Sequence, residues 1–160
     1  MRRLSLCLVA LAALLSPAAA QQAAQSTNWP TTCQALNRQQ PLTCVASTVA
    51  YLREGGQRMA ELRIVTAPGK PDRLEIIGPF GTSADRPFVV KADGAEMASG
   101  SIRTCEQDGC HVIIEITDAM RTALLGATSL AVVFTTPEQP AVEVPLPTLG
   151  LADAYKLIAP

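Results

Sequence analysis

From Cys44 to Leu146, apolar and polar residues alternate in short runs that glycine and proline interrupt at close intervals. Cys44 to Leu52 has the composition of a strand, and Met59 to Thr66 sets Leu62 and Ile64 against Glu61 and Arg63. Side chains along a strand point to opposite faces in turn, so such alternation describes one dry and one wet face. Gly55-Gly56 between the two runs predicts a tight two-residue hairpin. Leu74 and Ile76 alternate with Arg73 and Glu75 after the breaks at Pro68-Gly69 and Pro71, and Gly78-Pro79 with Gly81 breaks the chain again. Phe88 to Ala92 and Ala95 to Ile102 flank Asp93-Gly94, the strongest hairpin signal in the chain. In the next strand Cys110, Val112, Ile114 and Ile116 share one face, and His111, Ile113, Glu115 and Thr117 the other.

The period then changes. Met120 and Leu124 predict a short helix over residues 119–125, capped by Asp118 and stopped by Gly126. Leu130, Val132 and Phe134, then Val142, Val144 and Leu146, give two more strands around a turn at Pro137 to Pro140; Pro145 and Pro147 put the last at a sheet edge or strand end. Residues 150–158 predict a closing helical turn. About seven or eight short strands with regular turns predict an all-β, mainly antiparallel fold, a small sandwich or partly closed barrel with one short helix near 118–125.

The N-terminus changes the compartment. Arg2 and Arg3, the apolar run Leu4 to Leu15 and Ala18-Ala19-Ala20 make residues 1–20 a signal peptide of the general secretory route, cleaved after Ala20. Its apolar run is about a dozen residues against the roughly 20 that cross a bilayer, and no later segment approaches that, so no transmembrane anchor is expected after cleavage. Residues 21–28 read as a disordered N-terminal segment and 29–158 as a single disulfide-stabilised β domain. Cleavage takes two of the 13 basic residues and none of the 14 acidic ones, leaving 11 against 14 and a net charge of −3. The remaining cations are scattered singly, which argues against nucleic acid and anionic lipid as partners.

Cys7 leaves with the signal, and four of the five cysteines remain. An even count outside the cell reads as two disulfides with three connectivities. Nearest-neighbour pairing, Cys33–Cys44 and Cys105–Cys110, is preferred because Glu106 to Gly109 forms a polar turn with glycine just before the return. Zinc sites place cysteines closer together, and a catalytic dithiol needs C-x-x-C. Neither a metal nor a cofactor is expected: there is no EF-hand spacing and no glycine-rich phosphate cradle.

Candidate chemistry is sparse. His111, the single histidine, would have to be the base of any Ser-His-Asp hydrolase, yet there is no Gly-x-Ser-x-Gly elbow, and Ser83, Ser99 and Ser101 lie in turn or strand contexts. Glu106 and Asp108 share one small loop and could form a carboxylate pair for glycoside cleavage, but a solvated turn accounts for them equally. Trp29 reads first as a core aromatic covering a disulfide and second as an exposed anchor for a partner.

Taken in order, Trp29, Cys33 and Cys44, the Gly-Gly hairpin, Pro79-Phe80-Gly81, Asp93-Gly94, the block Arg103-Thr104-Cys105-Glu106-Gln107-Asp108-Gly109-Cys110 and the closing Leu149-Gly150-Leu151-Ala152-Asp153-Ala154 resemble the invasion-associated locus B family of exported bacterial proteins. The resemblance spans about residues 28–157. It implies a β-rich envelope or secreted domain without an accepted catalytic mechanism, and the family's name adds a link to host-cell interaction. The expectation is a non-enzymatic protein-binding module for an envelope or host protein. Trp29, Glu106, Asp108 and His111 are its candidate contacts, through a sheet edge or the Cys105 loop. The alternative is a periplasmic hydrolase or enzyme modulator using His111 and the acidic Cys105–Cys110 loop.

Overall fold

The computed structural model describes residues 28–35 and 37–159. The signal peptide expected over residues 1–20, and residues 21–27 of the segment expected to be disordered, lie outside them. The chain runs β1 (Thr31–Gln34), β2 (Thr43–Tyr51), β3 (Arg58–Thr66), β4 (Arg73–Gly78), β5 (Phe88–Ala92), β6 (Ala95–Gly100), β7 (Thr104–Glu106), β8 (Gly109–Glu115), α1 (Asp118–Gly126), β9 (Leu130–Phe134), β10 (Val142–Leu146) and α2 (Leu151–Ile158). Two antiparallel sheets form, one of six strands in the order β1-β2-β3-β4-β8-β7 and one of four in the order β10-β9-β5-β6. This is the sandwich rather than the barrel, since neither sheet closes on itself.

The alternating pattern sets the register. Leu62 lies opposite Ile76 and Ile64 opposite Leu74, and Ile76 in turn faces Val112, so one apolar row crosses the larger sheet. Leu62, Ile64, Leu74, Ile76 and Val112 are all fully buried. They meet Phe88, Val90, Val132 and Phe134 of the smaller sheet in one cluster, where the Phe88 and Phe134 ring centroids are 5.5 Å apart. Two glycines let the sheets approach. A Cβ on Gly78 would stand 2.4 Å from the Phe88 ring, and one on Gly100 would stand 2.8 Å from Val112. Their role is space, where the sequence reads Gly78 only as a break.

Asp93-Gly94 forms the expected two-residue turn, with both residues at positive φ (50° and 80°) between the paired Ala92 and Ala95. The Asp93 carboxylate does more than turn the chain. It accepts from the Thr128 hydroxyl at 2.8 Å and from the Thr128 and Ser129 amides at 2.9 Å each, tying this hairpin to the entry of β9. Those bonds, that from the Thr128 hydroxyl foremost, hold its carboxyl below the usual carboxylate range. Gly55-Gly56 behaves differently from the two-residue hairpin expected. The Leu52 amide donates to Gln57 O at 2.8 Å, leaving Arg53 to Gly56 as a four-residue loop. A bulge between Ala50 and Tyr51 has shifted the strand ends.

The short helix is present, but its cap is Thr117 instead of Asp118. Thr117 is extended and its hydroxyl accepts from the Met120 amide at 3.2 Å, while Asp118 enters the first turn and pairs with Arg121. Arg121 and Tyr155 lock α1 and α2 to the β3–β4 connection: the Tyr155 hydroxyl donates to the buried Asp72 at 2.5 Å and accepts from Arg121 Nε at 2.8 Å. Burial and then the bond to Asp72 push the Tyr155 hydroxyl's pKa up. β10 is the edge strand that Pro145 implied. No helix among the described residues is long and apolar enough to cross a membrane.

Candidate functional site

β7 and β8 form a hairpin at one rim of the six-stranded sheet. Thr104 pairs with His111, Cys105 with Cys110 and Glu106 with Gly109, which leaves Gln107-Asp108 as the turn. Gly109 is obligatory here. Its φ is 137°, and a Cβ would stand 2.4 Å from Gly78 O and 3.0 Å from Ile77 Cγ2. The hairpin therefore nests against the end of β4.

Cross-strand register sorts its side chains. Cys105 and Cys110 are direct partners and are bonded, as are Cys33 and Cys44 across β1 and β2. Both nearest-neighbour pairings are formed. The two bonds sit at opposite rims of the same sheet, each fastening a short edge strand to its neighbour. Every residue of β7 is exposed, and β1 is exposed apart from a half-buried Thr31, so these strands gain little from burial and depend on the covalent link.

Glu106 and His111 occupy the face opposite the Cys105–Cys110 bond, and the turn brings Asp108 over to them. His111 Nε2 and Asp108 Oδ1 are 2.8 Å apart. The hydrogen bond from His111 is the largest influence holding the Asp108 carboxyl below the usual range, and the nearby Arg58 cation acts in the same direction. The Glu106, Asp108 and His111 donor atoms all lie within 4.8 Å of one another. Glu106 and Asp108 are exposed and His111 is half-buried. The three residues named from sequence thus come together. Among the described residues, no serine or threonine hydroxyl hydrogen-bonds His111, whose one side-chain partner there is the Asp108 carboxylate.

Trp29 does not join them. It is fully buried, and its indole N–H donates to Pro147 O at 2.8 Å. A ring enclosed by protein offers no surface, which corrects the reading of Trp29 as a contact anchor in favour of the core aromatic.

A second feature escaped the sequence. On the outward face of the six-stranded sheet, Glu61 is buried to 7% exposure and receives Arg63 Nε at 2.6 Å and Arg58 at 2.9 Å, while Arg73 pairs with Glu75 at 3.4 Å. Glu61, Arg63, Arg73 and Glu75, with Val45 and Val65, line a shallow concavity of about 420 Å³. The alternation of Glu61 and Arg63, or of Arg73 and Glu75, marks them as outward-facing. Only the strand register, which sets Arg63 opposite Glu75, brings the Arg63–Glu61 and Arg73–Glu75 ion pairs side by side.

The fold and sequence were compared with known proteins. No curated protein sequence matches the chain. Among solved structures, the crystal structure of invasion associated protein B from Bartonella henselae superposes with a TM-score of 0.71 at 18% identity, covering 82% of this chain and 90% of that one. At that identity the match shows a shared fold. The profile described as invasion associated locus B (IalB) protein matches residues 29–159, from the buried Trp29 through both disulfides to the end of α2. With the order of cysteines, turns and closing helix accounted for over nearly all the described residues, the chain belongs to the invasion associated locus B family.

Proposed function

We propose that this chain is exported and acts as a non-enzymatic module that binds another protein of the bacterial envelope or of a host through the Cys105–Cys110 hairpin. The observation that carries the reading is the hairpin's construction: a disulfide between registered partners and an obligatory glycine hold three polar side chains outward at a sheet rim. Rigid presentation lowers the ordering cost of association, which is how a small surface gains affinity. The two disulfides are consistent with an oxidising compartment. The hydrolase alternative draws its support from the Asp108–His111 pair, but that pair has no attacking group bonded to it among the described residues.

The test is affinity capture from envelope extracts and from host-cell lysate, with wild type beside a folded Glu106→Gln, Asp108→Asn, His111→Ala variant. A specific protein recovered by wild type and lost with the variant supports the hairpin as the contact. Equal recovery by both, or recovery of nothing, overturns the reading.

A further inference from the structure

We infer that Glu106, Asp108 and His111 form a binding site for one divalent transition-metal ion of the zinc or copper type. The inference goes beyond the protein-binding reading and does not depend on it, because an ion is taken up without a partner. The donors are an imidazole nitrogen and two carboxylates, all within 4.8 Å of one another. Imidazole is the commonest protein ligand of zinc and copper, whereas calcium takes six to eight oxygens and has no use for it. Zinc–donor distances of about 2.0–2.2 Å put neighbouring donors roughly 3.4 Å apart, so the widest pair closes by up to about 1.4 Å while the His111–Asp108 pair, now 2.8 Å, opens by about 0.6 Å. Glu106 and Asp108 are exposed and reach that by side-chain rotation.

The backbone beneath them needs no rearrangement. Glu106 and His111 share the outward face through the hairpin register, and the Cys105–Cys110 bond lies on the other side. An ion replaces the His111–Asp108 hydrogen bond, now 2.8 Å, with a bridge among three donors and neutralises the two carboxylates. Arg58 is the cation that faces the cluster, and Glu61 holds it at 2.9 Å, partly offsetting its charge. Three protein donors leave at least one coordination position for water or for a side chain of another molecule.

The test uses the untagged, oxidised chain from Gln21 onward, because His111 is then its single histidine. Zn²⁺ titration by calorimetry should show one ion per chain with micromolar affinity, and Cu²⁺ paramagnetic resonance should show nitrogen coupling. His111→Ala should abolish the nitrogen coupling and weaken Zn²⁺ binding about tenfold or more, as loss of one of three ligands requires. Should that variant fail to fold, Glu106→Gln supplies the reading, with weakened binding supporting the site. No heat of binding to wild type, or binding unchanged in the folded variants, overturns the inference.

Discussion

Removing each disulfide in turn measures what the two rims of the larger sheet contribute. The Cys33–Cys44 loop separates its cysteines by 11 residues and the Cys105–Cys110 loop by 5. Loop-closure entropy then assigns about 2.8 kcal/mol to the first bond and about 2.0 kcal/mol to the second at 25 °C. The exposed residues of β7 and β1 add little, and each variant loses one further core contact of comparable size, the buried Cys110 in one and the partly buried Cys44 in the other. Unfolding entropy of about 2.1 cal/mol/K per residue over residues 29–159 converts these to melting-point losses of roughly 10 °C and 7 °C. The variants are Cys33→Ala with Cys44→Ala, and Cys105→Ala with Cys110→Ala. Each keeps one intact bond, so thiol exchange does not confuse the comparison. Urea unfolding followed by circular dichroism, with thermal melts alongside, gives both quantities, and the slope with urea should rise slightly as the unfolded chain opens. A larger cost for the shorter loop would refute the reasoning, since chain entropy ranks the bonds the other way.

Three further outcomes are expected. Asp93→Asn removes a carboxylate whose pKa is depressed in the folded state, so the wild type's advantage over it should be present above the unfolded value near pH 3.9 and disappear as pH falls through the lower folded value; an equal gap in melting temperature at about pH 6 and about pH 2 contradicts this. Gly78→Ala drives a methyl into the Phe88 ring and should cost about 1–3 kcal/mol in urea unfolding, with no cost disproving the close approach. Tyr155→Phe takes a hydrogen bond from buried Asp72 and should cost about 1–2 kcal/mol by the same measurement, and unchanged stability would show the lock is not formed in solution.

The strands were legible because each is written locally. Leu62, Ile64, Leu74 and Ile76 declare a dry face by their spacing, and Asp93-Gly94 declares a turn that few other dipeptides make. The disulfide partners were legible because both pairs are close in sequence. What escaped depended on residues brought together from afar: Asp93 on Thr128 and Ser129, Tyr155 on Asp72, Trp29 on Pro147. No periodicity encodes such meetings. The displaced helix cap shows a subtler limit, since Thr117 and Asp118 are both competent caps and only the extended backbone at Thr117 decides between them. In the candidate site, Glu106, Asp108 and His111 could be named from their loop. Their convergence followed from the strand register, which fixes Thr104 opposite His111 and so places Glu106 on the same side.

The meeting of Phe88 with Gly78, and of Gly100 with Val112, has a consequence for how this family can vary. The benzyl group occupies the space of a side chain missing at Gly78 across the interlayer gap, while Gly100, its register partner on β6, makes room for Val112 and Ile114. Enlarging either glycine alone meets hard resistance, while shrinking Phe88 alone leaves a void. Compatible sequences must trade these volumes together, so a smaller residue at 88 should travel with a larger one at 78, and the pair Gly78→Ala with Phe88→Leu should be better tolerated than the sum of its parts.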